Sequence, residues 1–221
     1  MTPRSLPAVF RIVLPALLLA GAALAGLNSA RAAAPASGVD YVEIPGGAPF
    51  QPAPGKIEVA EAFSYLCHHC ADFEPLFAAW TRKQPADVRV IHVPAGLSSA
   101  AVPYARAYYT AESLGVVDRT HAGLFDALHE RHSLPKQNAS PAEIAVYFAE
   151  HGVPEARFIA AMGSAEVDAK LEQSRQFLMR SGVDATPTLI VNGKYRIRGR
   201  SYDDILRIAD QLIARERAAH P

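Results

Sequence analysis

Between residues 94 and 181 the chain reads as one amphipathic helix after another, while strand patterns lie on both sides of that stretch. Any sheet built from the flanking strands therefore has to close across a long helical excursion. Upstream, residues 56–65 form a largely apolar strand through Ile57, Val59, Ala62, Phe63 and Tyr65 that runs straight into Cys67. From there Cys70, Phe73, Phe77 and Trp80 recur at the spacings of one helical stripe, with Pro75 expected to bend the helix about a turn after its start. Residues 88–93 make the next short strand, closed by Pro94.

Inside the excursion, residues 101–114 and 118–131 are the first two helices. Ser140-Pro141-Ala142-Glu143 then supplies a capping residue, a proline at the first helical position and an acid three residues on. Phe158, Ile159 and Met162 mark a short helix, and Val167, Leu171, Ser174 and Leu178 a longer one ending at Gly182. Strands return at residues 188–191 and 195–198 around Asn192-Gly193, a pair suited to the positive φ of a tight hairpin. Ser201 and Asp204 open the last helix, whose buried stripe is Ile205, Ile208, Ala209 and Leu212. The order predicts an α/β fold, with residues 39–100 and 181–221 forming one discontinuous sheet-bearing domain and residues 101–180 an inserted helical subdomain.

The only two cysteines, Cys67 and Cys70, stand in Cys67-His68-His69-Cys70. A crosslink enclosing two residues removes little entropy from the unfolded chain, so the pair is suited to exchanging a disulfide rather than to stapling the fold. At a helix start, the Cys67 sulfur meets unpaired backbone N–H groups and the positive end of the helix dipole, both of which favour thiolate. His69 can donate a hydrogen bond or charge to that thiolate, and His68 is a second possible donor. Cys70, one turn further in, is expected to be less exposed and to act as the resolving thiol.

The compartment follows from the first residues. Arg4 and Arg11 precede or flank an apolar run over residues 12–27, and Ala30-Arg31-Ala32 fits a cleavage site, so residues 1–32 read as a cleaved export signal. Residues 33–38 then read as a flexible leader. The whole chain balances 22 basic against 22 acidic residues; removing Arg4, Arg11 and Arg31 leaves a formal charge of −3, which argues against nucleic acid as a partner. A stretch between leader and first strand that could serve for dimerisation is missing, so a monomer is expected.

Residues 61–74, Glu-Ala-Phe-Ser-Tyr-Leu-Cys-His-His-Cys-Ala-Asp-Phe-Glu, together with Val183-Asp184-Ala185-Thr186-Pro187-Thr188 and the hairpin after it, resemble the two hallmark segments of the DsbA family of periplasmic thiol:disulfide oxidoreductases. The resemblance implies a thioredoxin-like fold with a large helical insertion and a cis-proline loop, in which Thr186 and Pro187 lie opposite Cys67 to meet substrate. It also implies a periplasmic location, a Cys67–Cys70 disulfide as the redox group with no further cofactor, newly exported cysteine-containing polypeptides as substrates, and a membrane quinone-linked DsbB-type reoxidant. Glu61 and Glu74 match positions where an acid beneath the site tunes the thiols. His68 departs from the proline of the best-known active site, Thr186 from the valine often found before the cis-proline, and Val90 from a basic residue on the neighbouring strand. His92 is expected to be a strand residue satisfied by local hydrogen bonds.

Two other readings are open to the same residues. An isomerase or reductase could use the same pair. A Cys/His metal site could draw on Cys67, His68, His69 and Cys70 with His121, His129 and His132, but adjacent histidines on a helix point about 100° apart. No metal is therefore expected, and the three histidines are expected at the surface.

Overall fold

The computed structural model describes residues 1–2 and 34–219. Apart from Met1 and Thr2, the export signal read over residues 1–32 lies outside the described residues, cleavage site included.

Five strands form one sheet in the order β1-β5-β4-β2-β3. At its centre β2 (Ile57–Phe63) is buried at every position, pairing parallel with β3 (Val88–Pro94) and antiparallel with β4 (Thr188–Val191). Its two faces differ. Ile57 and Val59 pack with Phe73, Phe77 and Trp80 of α1 (His68–Thr81) and with Ile208 and Leu212 of α7 (Tyr202–Ala219). On the other face the small Ala60 and Ala62 meet Phe177 and Leu178 of α6 (Ala165–Arg180). α1 runs through Pro75 as one helix, and its stripe is buried as the spacing predicts.

Sequence reading missed β1 (Tyr41–Glu43), a three-residue edge strand that pairs with β5 (Tyr195–Ile197) and bridges Ser37 through Tyr41. Just before it, residues 36–40 are tied by local bonds: the Ala36 amide donates to the Asp40 carboxylate at 2.8 Å and the Gly38 amide to the Tyr41 carbonyl at 2.8 Å.

The helical insertion comprises α2 (Val102–Ser113), α3 (Val117–His129), α4 (Pro141–Glu150), α5 (Glu155–Met162) and α6. It builds a second core from Tyr104, Leu124, Leu128, Ile144, Phe148, Phe158 and Met162. α4 starts as its residues predict: the Glu143 amide donates to Ser140 Oγ while the Glu143 carboxylate accepts from the Ser140 amide, a complete capping box. β3 ends opposite Phe63 and β4 begins opposite Ala62, so the insertion leaves and rejoins the sheet at the same end of β2, once on each side of it.

The β4–β5 turn is fixed chemically as well as sterically. Asn192 and Gly193 both have positive φ, 51° and 66°, and the buried Glu216 of α7 accepts from Asn192 Nδ2, Lys194 Nζ and the Tyr195 hydroxyl. Replacing Gly193 by alanine places a methyl against the backbone carbonyl of Ala48 while keeping the positive φ. Gly193→Ala is expected to destabilise the protein by at least about 2 kcal/mol in urea unfolding, and more than Asn192→Ala does.

Candidate active site

The end of β2 and the start of α1 are joined by a short turn that places Cys67 at the helix N-cap, with φ −83° and ψ 117°. The Cys67 amide donates to the Ser64 carbonyl at 3.0 Å, closing the turn. Cys67 is half-buried, His68 and His69 are exposed, and Cys70 is 1 % exposed. Both cysteines are free thiols here.

The two thiols are driven apart. A hydrogen bond from the Cys70 thiol is the largest influence on Cys67; partial burial opposes it, and the Thr186 side chain and the N–H groups of Cys70 and His69 add to it, pulling the Cys67 pKa down to about 5. The same thiol–thiolate hydrogen bond together with burial pushes Cys70 far up. The pair therefore holds one proton on Cys70 and leaves Cys67 as thiolate at neutral pH. When protonated, the Cys67 thiol donates to the Thr186 carbonyl at 3.2 Å. The Thr186–Pro187 bond is cis, as the family resemblance implies.

The imidazoles between the sulfurs are directed elsewhere. His68 Nε2 lies 3.4 Å from Asp72 across an exposed helical turn. His69 Nδ1 is 3.4 Å from the Tyr202 hydroxyl, which also donates to the His69 carbonyl at 3.1 Å. The groups that hold the Cys67 sulfur are thus backbone N–H, Thr186 and the second thiol; His69 takes part through its amide.

Beneath the site the polar residues are more buried than their sequence context indicates. Glu61 is 2 % exposed and Glu74 9 %. Glu61 stands opposite His92 in the β2–β3 ladder and accepts from its Nδ1 at 2.7 Å. Burial acts against the His92 imidazolium, but the bond and charge of Glu61 outweigh it and raise the pKa. Val90 leaves no base at its position, and the neighbouring Arg89 pairs with Glu58, not Glu61.

Two of the three histidines expected at the surface are buried: His121 and His129, at 6 % and 9 % exposure, while His132 is exposed. Both lie on the face of α3 that carries Leu124, Phe125 and Leu128, and both reach Tyr65. His121 Nδ1 is 2.7 Å from the Tyr65 hydroxyl and its Nε2 3.4 Å from Glu74 Oε2, although neither of the latter two atoms meets hydrogen-bond geometry. Burial is the main reason the His121 pKa is lowered. The eight-residue spacing, about two helical turns, was the available signal that these histidines share the packed face. Among the described residues no group of three or more His, Cys, Asp or Glu side chains converges to hold a metal.

Comparison with known proteins agrees with this geometry. A family model described as Thioredoxin matches residues 53–211. The thiol:disulfide interchange protein DsbA of Pseudomonas aeruginosa is 37 % identical over 205 residues, covering 91 % of this chain and 95 % of that protein. The protein of the same name from Azotobacter vinelandii is 37 % identical over 209 residues, covering 91 % and 96 %. The crystal structure of oxidoreductase DsbA from Xylella fastidiosa superposes with a TM-score of 0.83 at 45 % identity, covering 84 % of this chain and all of that one.

The pKa split fixes how stability depends on pH. A thiol whose pKa is depressed on folding stabilises the native dithiol above its unfolded value, and that stabilisation is lost as pH falls through the folded value. Between pH about 8.5 and about 5 the dithiol form is therefore expected to lose stability relative to the disulfide form, as read by denaturant unfolding of both forms across that range. Cys70→Ala, which removes the largest hydrogen bond to the thiolate, is expected to raise the Cys67 pKa measured by thiolate absorbance.

Proposed function

This chain belongs to the DsbA family of thiol:disulfide interchange proteins and is a protein-disulfide oxidoreductase of thioredoxin-like fold, and on that premise we propose that it oxidises newly exported polypeptides in the periplasm by donating the Cys67–Cys70 disulfide. The observation that carries this direction is the split between an N-cap thiol held low and a buried thiol held high. A stabilised Cys67 thiolate stabilises the reduced enzyme, which makes the disulfide a strong oxidant.

In the oxidised enzyme, a substrate thiolate attacks the Cys67 sulfur and breaks the Cys67–Cys70 bond. Cys70 departs as thiolate and takes up a proton, which its buried position favours. A second substrate thiolate then attacks the substrate sulfur of the mixed disulfide. Cys67 leaves as the stabilised thiolate, and the two electrons of the substrate dithiol now reside on the enzyme. Thr186 lies against the Cys67 sulfur, so a polypeptide joined to that sulfur runs beside Thr186 and Pro187, where the backbone can pair with an extended segment. His68 and His69 stand exposed at the entrance, and His69 contributes its amide to the thiolate. Glu61 and Glu74, buried beneath, tune proton uptake at Cys70. No cofactor beyond the disulfide takes part. Reoxidation is assigned to a membrane quinone-linked partner of DsbB type, and the enzyme acts as a monomer.

The oxidised protein is expected to drive disulfide formation in a reduced, unfolded test polypeptide. Cys67→Ser and Cys70→Ser each abolish that activity, whereas Cys70→Ser offered a polypeptide that already carries a disulfide attacks it through Cys67 and retains the mixed disulfide, visible on a non-reducing gel. A reduction potential measured against glutathione near that of thioredoxin, about −270 mV, would instead assign a reductase.

A further inference from the structure

We propose that His129 and His121 of α3 are positioning residues of the redox centre, holding Tyr65 at both ends and so fixing the turn that presents the Cys67 sulfur. The inference rests on the disulfide-exchange reading above and adds to it residues from the helical insertion. Tyr65 sits two positions before Cys67, in the turn closed by the Ser64 carbonyl. Its ring is buried against Phe63 and Phe125, at centroid distances of 5.0 and 4.9 Å. Its hydroxyl meets His121 Nδ1 at 2.7 Å and its carbonyl meets His129 Nε2, also at 2.7 Å.

The partners fix the protonation of both rings. A carbonyl can only accept, so His129 Nε2 carries a hydrogen; Lys136 Nζ, which can only donate, lies 3.3 Å from Nδ1 and requires a lone pair there. In this geometry His129 donates through Nε2 and accepts through Nδ1. At His121, the Glu74 carboxylate lies 3.4 Å from Nε2, outside hydrogen-bond geometry but close enough for its charge to favour the hydrogen on that side, which leaves Nδ1 to accept from the Tyr65 hydroxyl. Burial holds that hydroxyl protonated and keeps His121 neutral. Two rings on one helix face thus grip a single residue, one through its side chain and one through its backbone.

Hydrogen bonds to a thiolate weaken steeply with misalignment. The N–H groups of His69 and Cys70 and the Thr186 side chain stabilise Cys67 only while the turn keeps the sulfur in place. A purely structural histidine alters the unfolding temperature alone, whereas a positioning histidine alters the thiol pKa of the folded protein.

The test measures the Cys67 pKa by thiolate absorbance, and the equilibrium with glutathione, in His129→Leu, His129→Gln and Tyr65→Phe. His129→Leu is expected to raise the pKa by about one unit, with a fall of about tenfold in the equilibrium constant for oxidising glutathione. Tyr65→Phe moves both in the same direction. Glutamine, whose amide can still donate to the Tyr65 carbonyl, keeps the pKa within about 0.3 unit and the constant within about twofold of the parent. A folded His129→Leu protein with the parent pKa and constant overturns the proposal, as does a glutamine variant that behaves like leucine. Should the leucine variant not fold, the ¹⁵N spectrum of the parent decides: a bare Nδ1 and a protonated Nε2 at His129 support the assignment, and the opposite tautomer or an imidazolium at pH 7 overturns it. These readouts need no polypeptide substrate, so their failure is distinguishable from failure of the oxidase reading.

Discussion

A sulfur standing at the end of a helix, where backbone N–H groups have no helical partner, is the constraint around which the molecule is arranged. To put it there, β2 must end at Phe63 and α1 must begin at His68, with only a short turn between. The apolar stripe of α1 then anchors the helix on the face of β2 that carries Ile57 and Val59, and α7 packs on the same core. Trp80 closes the far end of α1 by donating from Nε1 to Asp210 of α7 at 2.9 Å. The chemistry at Cys67 depends on this rigid seating, because thiolate stabilisation by fixed dipoles requires that they stay fixed.

Several carboxylates are buried in the interior, from the far end of β2 to the redox centre. Glu58 is satisfied, accepting from the amides of Phe50 and Gln51 and from Arg89. Glu61 has His92, and Glu216 has three donors at the hairpin. Glu74 and His121 differ, since their facing atoms are buried 3.4 Å apart without hydrogen-bond geometry. Imperfect pairing costs stability, and its position next to the redox centre marks it as the place where function and stability pull in different directions.

Much of this was legible from local pattern. The α1 stripe, the Ser140 capping box and the Asn192-Gly193 hairpin each declare themselves within a few residues, because short-range sterics and hydrogen bonding decide them. β1 did not, being three residues long and joined to the sheet by pairing with β5 more than 150 positions away. The burial of His121 and His129 was hidden for a similar reason: their partner, Tyr65, lies 56 and 64 positions upstream. The His69 side chain likewise meets Tyr202, from the far end of the chain. Spacing placed the four residues of the Cys67–Cys70 segment together, but it could not say which atoms would face the sulfur.

The helical insertion leaves the sheet after β3 and returns into β4, flanking β2 on its two sides at the end where Cys67 sits. Its points of departure and return are thus pinned by strand register, and its inner surfaces are pinned as well, by Phe177 and Leu178 of α6 on the sheet and by a core that includes Phe63, Tyr65 and Cys70. The sulfur and the helices around its entrance therefore share one mechanical frame, in which a displacement of α3 reaches Cys67 through Tyr65.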